Sequence, residues 1–204
     1  LSNPGLKFIR EWLLEKFVVV ASVDLPVETF VAFGGTGTQT SVLVLRKKTE
    51  DEIERERLLG KPSEYEVFMA VPRTMGYDRR GNDLWKRDSE SHLLVGQRDD
   101  EVSEVAEVFT AWLKGDLKTL ESGYLALPEG KRVPAFVVKS ADLEGRLDGS
   151  YHRPQVEAAL SQLKKSKYPL VRLKDIARYI VIPPRFKRHY VEAKAGVPFL
   201  RPSD

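Results

Sequence analysis

The sequence contains no cysteine, only three histidines and no long hydrophobic run. Without cysteine, disulfide bonds and every zinc or iron–sulfur site with a thiolate ligand are excluded. The absence is also typical of proteins in a reducing compartment, so we expect a cytoplasmic protein. No strictly apolar run is longer than the five residues of 17–21, whereas a membrane-spanning helix needs about 20 apolar residues. The sequence therefore predicts no membrane span.

Self-contained catalytic and ligand-binding motifs are also missing. His92, His152 and His189 are isolated in the sequence and form no metal-ligand pattern, so no metal site is predicted. No nucleophile elbow is present. The Gly-Gly-Thr-Gly-Thr stretch at Gly34–Thr38 lacks the Gly-Lys-Ser/Thr of a phosphate-binding loop and precedes a predicted strand, which favours a flexible loop. No residue is therefore assigned a catalytic role.

The composition is that of an ordinary globular chain with an uneven distribution of charge. With 204 residues, 42% of them hydrophobic and 31% charged, it has the size of one large domain or two small ones. Residues 1–145 hold 20 Lys and Arg against 25 Asp and Glu, whereas residues 146–204 hold 13 against 5. The net charge of +3 thus divides into −5 and +8. The basic part suits a polyanionic partner, and a solvated basic surface is the alternative.

The first 50 residues have the pattern of a helix and two strands. Residues 7–17 predict an amphipathic helix, and the β-branched run at 18–23 predicts a buried strand. A loop over 30–40 leads into a second buried strand at 41–45. The apolar stripe of the helix is formed by Phe8, Ile9, Trp12, Leu13 and Phe17.

Further along, the pattern predicts an exposed helix or connector over 49–64, a third strand over 65–71 and a long hairpin or loop over 75–84. A helix over 102–114 ends at Gly115.

Residues 123–134 read as a loop before a short strand at 135–138, and a boundary is expected near 143–150. A helix then begins at Pro154, with Val156, Leu160 and Leu163 on its predicted buried side.

Several segments of the first 85 residues resemble the N6-adenine DNA methylase family of restriction–modification systems. The segments are Phe8–Leu14, Val18–Pro26, Phe30, Thr40–Lys47, Val67–Ala70 and Gly76–Asn82. The resemblance implies the last strands of a Rossmann-like catalytic sheet.

The motifs with which that family binds cofactor and performs catalysis do not occur in these 204 residues. They are a glycine-rich motif and an Asn/Asp-Pro-Pro-Tyr/Phe motif, and the only Pro-Pro here, at 183–184, follows Val-Ile. The resemblance therefore implies a parent enzyme that uses S-adenosylmethionine, while this chain alone is expected to bind no cofactor. We expect it to be a fragment of a longer enzyme.

One site residue follows from this resemblance. Phe30 matches the position of the family's aromatic residue that packs against the flipped target adenine. Chemistry on a base requires its removal from the stack, and an aromatic face offsets part of that cost. The alternative is that Phe30, or its neighbour Phe33, belongs to the core.

The last part of the chain resembles the opening of a target-recognition domain from type I specificity subunits or fused type IIG enzymes. The segments are Arg146–Pro154, Pro169–Ile176 and Gly196–Asp204. Between the last two, Arg185, Lys187, Arg188 and Tyr190 combine charge with an aromatic ring, so we expect them to contact DNA. A solvated basic loop is the alternative.

Together these features predict an α/β fold: a partial Rossmann-like methyltransferase sheet, a helical linker and the start of a small α/β recognition domain. The expected parts are residues 1–90, 91–145 and 146–204. The expected partners are double-stranded DNA and methylase, specificity or nuclease subunits. Two alternatives remain open: a helix-turn-helix, on the strength of Leu173–Arg178, and a protein-docking module that does not touch DNA.

Overall fold

The computed structural model describes residues 4–127, 130–180, 191 and 195, and divides the chain into two compact units, Leu1–Gln162 and Leu163–Asp204. The strands are β1 (Phe17–Asp24), β2 (Ser41–Lys47), β3 (Glu66–Ala70), β4 (Trp85–Arg87), β5 (Leu93–Arg98), β6 (Lys118–Thr119), β7 (Tyr124–Ala126) and β8 (Arg132–Lys139). The helices are α1 (Lys7–Lys16), α2 (Glu28–Gly34), α3 (Glu50–Leu59), α4 (Glu101–Lys114), α5 (Pro154–Lys164) and α6 (Leu173–Ile176), with short 3-10 turns at Pro4–Leu6 and Ser140–Leu143.

A six-stranded mixed sheet in the order β2-β1-β3-β8-β7-β6 organises the first unit. Among its described strand pairs, β1 and β3 run parallel, and the other four pairs are antiparallel. Strands β4 and β5 form a separate hairpin. A mixed α/β fold is thus confirmed, whereas residues 123–134, predicted to be a loop, contribute β7 and the start of β8.

The two faces of this sheet carry the two hydrophobic cores of the unit. On one face, α4 packs Val105 and Val108 over Phe68, with Phe109 and Trp112 around the same ring. The helix ends, as predicted, at Gly115, which has a φ of 80°. On the other face, Leu13 and Leu14 of α1 pack against a cluster of strand residues together with Leu143 and Leu147.

Helix α1 lies in the predicted place, but only part of its predicted apolar stripe packs inward, at Leu13. Phe8 and Trp12, at 66% and 52% exposure, point to solvent, whereas Arg10 is buried. The Arg10 guanidinium donates from Nε to the carbonyl oxygen of Gly145 at 2.7 Å. Arg10 is therefore buried because it donates a hydrogen bond to a loop carbonyl. The spacing of apolar residues gives no sign of this contact.

The segment 143–150, where a boundary was expected, is packed on the sheet. Leu143 and Leu147 are buried, and a Cβ on Gly149 would lie 3.2 Å from the carbonyl oxygen of Ala70. The change in charge near Arg146 therefore falls inside the first compact unit, and the division between units comes later, after Gln162.

The described residues of the second unit are almost all exposed, and α6 is its one described helix that begins within it. Before it, within α5, Val156, Leu160 and Leu163 are 38%, 45% and 52% exposed, so the expected buried side of this helix is wrong. Within the described residues, no helix is long and apolar enough to cross a membrane.

Candidate functional site

Phe30 lies on the short helix α2, which fills the first part of the segment predicted to be a loop between β1 and β2. The helix ends where Gly35 adopts a left-handed conformation with φ of 64°, and its amide donates to the carbonyl of Val31. Phe30 is 42% exposed and belongs to neither hydrophobic cluster. Phe33 on the same helix is 77% exposed. Neither aromatic is a core residue.

The turn over Gly76–Asn82 is held against α2. The ring of Phe33 meets that of Tyr77 edge-on, with centroids 5.3 Å apart, and the Tyr77 hydroxyl donates to the carbonyl of Thr29 at 3.2 Å. Arg79 donates from Nε to Glu28 at 2.9 Å. That hydrogen bond from Arg79 lowers the pKa of Glu28, so the carboxylate stays charged. The structure therefore brings together residues that are 48 and 51 positions apart in the sequence.

The turn itself is closed by Asp78. Its carboxylate accepts hydrogen bonds from the amide of Arg80 and from both the side chain and the amide of Asn82. These hydrogen bonds lower the pKa of Asp78, and the bond from the Asn82 side chain has the largest effect. Such an arrangement fixes a short turn without burying it. The Gly76–Asn82 segment is thus a preformed support for one side of α2.

A cavity of about 250 Å³ lies beside this support. It is lined by Glu28, Arg73, Thr74, Met75, Tyr77, Asp78, Arg79 and Leu84. The glycine stretch that follows Phe33 is exposed, and its Thr36 and Thr38 hydroxyls lie 3.0 Å apart. It follows a helix and precedes a strand, which is the reverse of a phosphate-binding loop.

The predicted DNA contacts Arg185, Lys187, Arg188 and Tyr190 lie outside the described residues. The proposed helix-turn-helix is described only in its first part, where α6 spans four residues and Ala177 after it is extended.

Two of the three histidines lie in described segments. The Nε2 of buried His152 is 3.1 Å from the carbonyl oxygen of Arg146, and exposed His92 lies 3.3 Å from Asp88. Within the described part of the chain, no three His, Cys, Asp or Glu residues form a group able to hold a metal ion.

One cluster was missed at the sequence level. Arg73, Arg132 and Arg153 line a single cavity, although they come from the end of β3, the start of β8 and the residue before α5. No spacing rule connects positions so far apart, so the sequence carries no signal for this cluster.

No protein-family profile and no curated protein matches the sequence. A similar chain occurs in a solved structure that concerns complex assembly and conformational transition of the type I restriction–modification system. The similarity covers 81% of the present chain, at 16% identity and a TM-score of 0.42. The similar region is 30% of that chain, so the present chain spans less than a third of its length. No residue role is transferred from it.

Proposed function

We propose that this chain is part of a restriction–modification DNA adenine-N6 methyltransferase. Its first part belongs to the catalytic domain, where Phe30 stacks on the target adenine. Residues 146–204 begin the target-recognition domain, with Arg185, Lys187, Arg188 and Tyr190 on double-stranded DNA. S-adenosylmethionine belongs to the complete enzyme and is bound by motifs outside these residues. The sequence resemblance suggests this function.

The observation that carries the proposal is the exposure of Phe30. An aromatic ring that is 42% exposed and outside both hydrophobic clusters can present a face to a ligand. Stacking of a base on such a ring contributes about 1–3 kcal/mol. Because Tyr77 and Arg79 hold α2 from the other segment, little ordering of the helix is needed when a base arrives.

Two uncovered apolar surfaces support the idea that the first unit belongs to a larger domain. One is the outer face of α1, with Phe8 and Trp12. The other is on β2, the end strand of the sheet, where Val42 and Val44 are 47% and 37% exposed beside the core face that α4 covers elsewhere. The unpaired backbone groups of an end strand are a template for pairing with a further strand unless the edge is covered. Further strands and helices of a catalytic domain would cover both.

The test compares two duplexes, one fully paired and one with a single unpaired adenine, by fluorescence anisotropy. An unpaired base costs less to extract, so the chain should prefer the second duplex. Phe30→Ala should reduce that preference about 5- to 150-fold, the equivalent of one stacked base. Phe30→Trp should keep it.

The matched control is Phe8→Ala, which removes an exposed phenylalanine from α1 and should leave the preference unchanged. Equal preference in the native chain and in Phe30→Ala would contradict the proposed role of Phe30.

A second candidate, a protein-docking module for a methylase or nuclease subunit, is favoured by the exposed face of α1 alone. It predicts no DNA binding by the chain. It further predicts that Trp12→Asp abolishes complex formation with the catalytic segment of the parent methylase, whereas Phe30→Ala does not. Measurable binding to duplex DNA would exclude it.

A further inference from the structure

A cavity of about 360 Å³ lies at the end of the sheet where β3 finishes and β8 begins. Its lining brings together residues from the first turns of α4 and α5 and from three strand ends. They are Val71, Arg73, Glu101, Tyr124, Arg132, Val133, Pro134, Arg153 and Gln155. Three guanidinium groups and one carboxylate therefore share one concave surface.

The three guanidinium groups have no carboxylate partner in the described part of the chain. No ion pair within 4.0 Å involves Arg73, Arg132 or Arg153 there. The one carboxylate of the cavity, Glu101, accepts a hydrogen bond from the backbone amide of Arg73 at 2.6 Å. Three positive charges thus share the cavity with a single negative charge, and this excess of positive charge raises the local concentration of anions.

The cavity wall holds two of its donors in place. The guanidinium carbon of Arg132 lies 4.0 Å from the ring centroid of Tyr124, which is only 5% exposed. The Tyr124 hydroxyl donates to Oε1 of Gln155. Since that oxygen is occupied, the amide nitrogen of Gln155 is left to donate to a ligand. Both donors are therefore oriented before any ligand binds, which reduces the cost of binding.

We propose that this cavity binds a phosphate group. Planar guanidinium groups form paired hydrogen bonds with phosphate oxygens, and a phosphate has enough oxygens to engage several of them at once. The amide nitrogen of Gln155 adds a further donor. Because Arg153 and Gln155 flank the first residue of α5, the partial positive charge of the helix N-terminus adds to the same field.

The phosphate can come from two sources, the backbone of DNA or a free phosphate compound. Arg73 lines both this cavity and the smaller one beside α2. A backbone phosphate bound here would therefore lie next to the segment that carries Phe30. The proposal that the phosphate belongs to DNA rests on the proposed function, whereas the binding of inorganic phosphate does not. An experiment can therefore disprove the DNA contact without disproving the phosphate site.

The first experiment measures binding of inorganic phosphate to the full chain by calorimetry, with sodium chloride of matched ionic strength as the blank. Arg73→Gln/Arg132→Gln/Arg153→Gln should weaken binding at least about tenfold, because each charge-assisted bond contributes more than 1 kcal/mol. The control, Arg55→Gln/Arg57→Gln/Lys61→Gln, removes the same charge from exposed positions on and just after α3 and should bind as the native chain does.

The second experiment measures duplex DNA binding at several salt concentrations. If the phosphate belongs to DNA, the triple cavity variant should reduce the slope of log affinity against log salt by about 2 to 3, one for each lost contact. The control variant should not. Loss of phosphate binding with an unchanged slope would identify a free phosphate compound as the ligand, and would leave the phosphate site standing without the DNA contact.

A cavity variant that matches the control in both experiments would overturn the proposal. If the triple variant does not fold by circular dichroism, the single variants Arg132→Lys and Arg153→Gln take its place. Arg132→Lys keeps the charge but not the paired geometry, so it should weaken phosphate binding while remaining folded.

Discussion

The carboxylate of Asp24, at the end of β1, accepts two hydrogen bonds from Ser150, one from the backbone amide at 2.8 Å and one from the hydroxyl at 2.7 Å. Its other oxygen accepts from the Ser41 hydroxyl at 2.7 Å. Asp24 is 3% exposed, so its carboxylate is largely shielded from bulk water. Since 126 residues separate Asp24 from Ser150, this one side chain ties the methylase-like segment to the start of the basic segment.

Replacing Asp24 should destabilise the first unit. The loss of unfolding free energy should increase with the number of these three hydrogen bonds that the new side chain can no longer accept. Asp24→Ala leaves the half-buried amide of Ser150 without this partner and should lower the free energy of unfolding by about 3 kcal/mol. Asp24→Asn keeps one acceptor oxygen and should cost about half as much. Chemical denaturation measures both. The exposed Asp51→Ala should change stability by less than about 0.5 kcal/mol, and equal losses for all three variants would contradict the assignment.

Gly149 should tolerate no side chain because of where the neighbouring strand runs. A Cβ there would lie 3.2 Å from both the carbonyl oxygen of Ala70 and a methyl group of Val71. Gly149→Ala is therefore expected to cost about 1–3 kcal/mol by overpacking. Gly34→Ala is the matched control, since the nearest atom to its new Cβ is 3.9 Å away. Thermal unfolding that shifts equally in both variants would be evidence against this close approach.

The sequence predicted the order of the main helices and strands well but not the faces they bury. Periodicity correctly indicates β1, β3 and α4, whose apolar residues meet one another. It does not predict that Arg10 is the inner residue of α1, because the partner is a loop carbonyl 135 residues away. Which residues of a helix become buried depends on contacts between segments that are far apart in the sequence. A local pattern of apolar residues does not encode those contacts.

The candidate site was predictable only where a known family has a matching motif. The role of Phe30 was predicted from a resemblance and stays a prediction, and its segment folds as a helix rather than the expected loop. The contact of Tyr77 with α2 and the arginine-lined cavity depend on tertiary packing. Arginines that come from three different elements have no common spacing, so only the folded chain can reveal their convergence.

Lowering the pH should destabilise the first turn of helix α3, where Glu52 lies. Hydrogen bonds from Arg46, and then from the amide of Thr49, lower the pKa of Glu52 from 4.5 to about 2. Because this pKa is lower in the folded than in the unfolded chain, the stabilisation is complete above pH 4.5 and is lost as the pH falls towards 2. Titration of the Glu52 carboxyl carbon by NMR should give a midpoint near 2.

The variant Arg46→Gln removes the first of these donors and should move the Glu52 midpoint upwards, towards 4.5. Lys7→Gln, which removes an exposed cation paired with Glu11, is the control and should leave it in place. A midpoint that stays near 2 without Arg46 would show that the Thr49 amide alone is responsible.

Lys48, the last of three consecutive basic residues after β2 begins, should contribute to stability through its ion pair with Glu56. Its side chain is 3% exposed and donates at 2.8 Å both to Glu56 and to the carbonyl oxygen of Leu14. Burial raises the pKa of Glu56, but bonds from Lys48 and the amide of Ser63 outweigh it, and the pKa is lowered. Glu56 is therefore charged, and removing its partner leaves that charge uncompensated.

Lys48→Met should lower the free energy of unfolding by about 3–5 kcal/mol, the usual cost of breaking a buried pair. The double variant Lys48→Met/Glu56→Leu should be less destabilised than the sum of the single variants, with a coupling of about 1–3 kcal/mol. Arg57 and Glu54, an exposed pair at 3.7 Å, provide the control cycle and should couple by less than about 1 kcal/mol. Additive effects at Lys48 and Glu56 would mean that the two side chains pack independently and that the pair contributes no stability of its own.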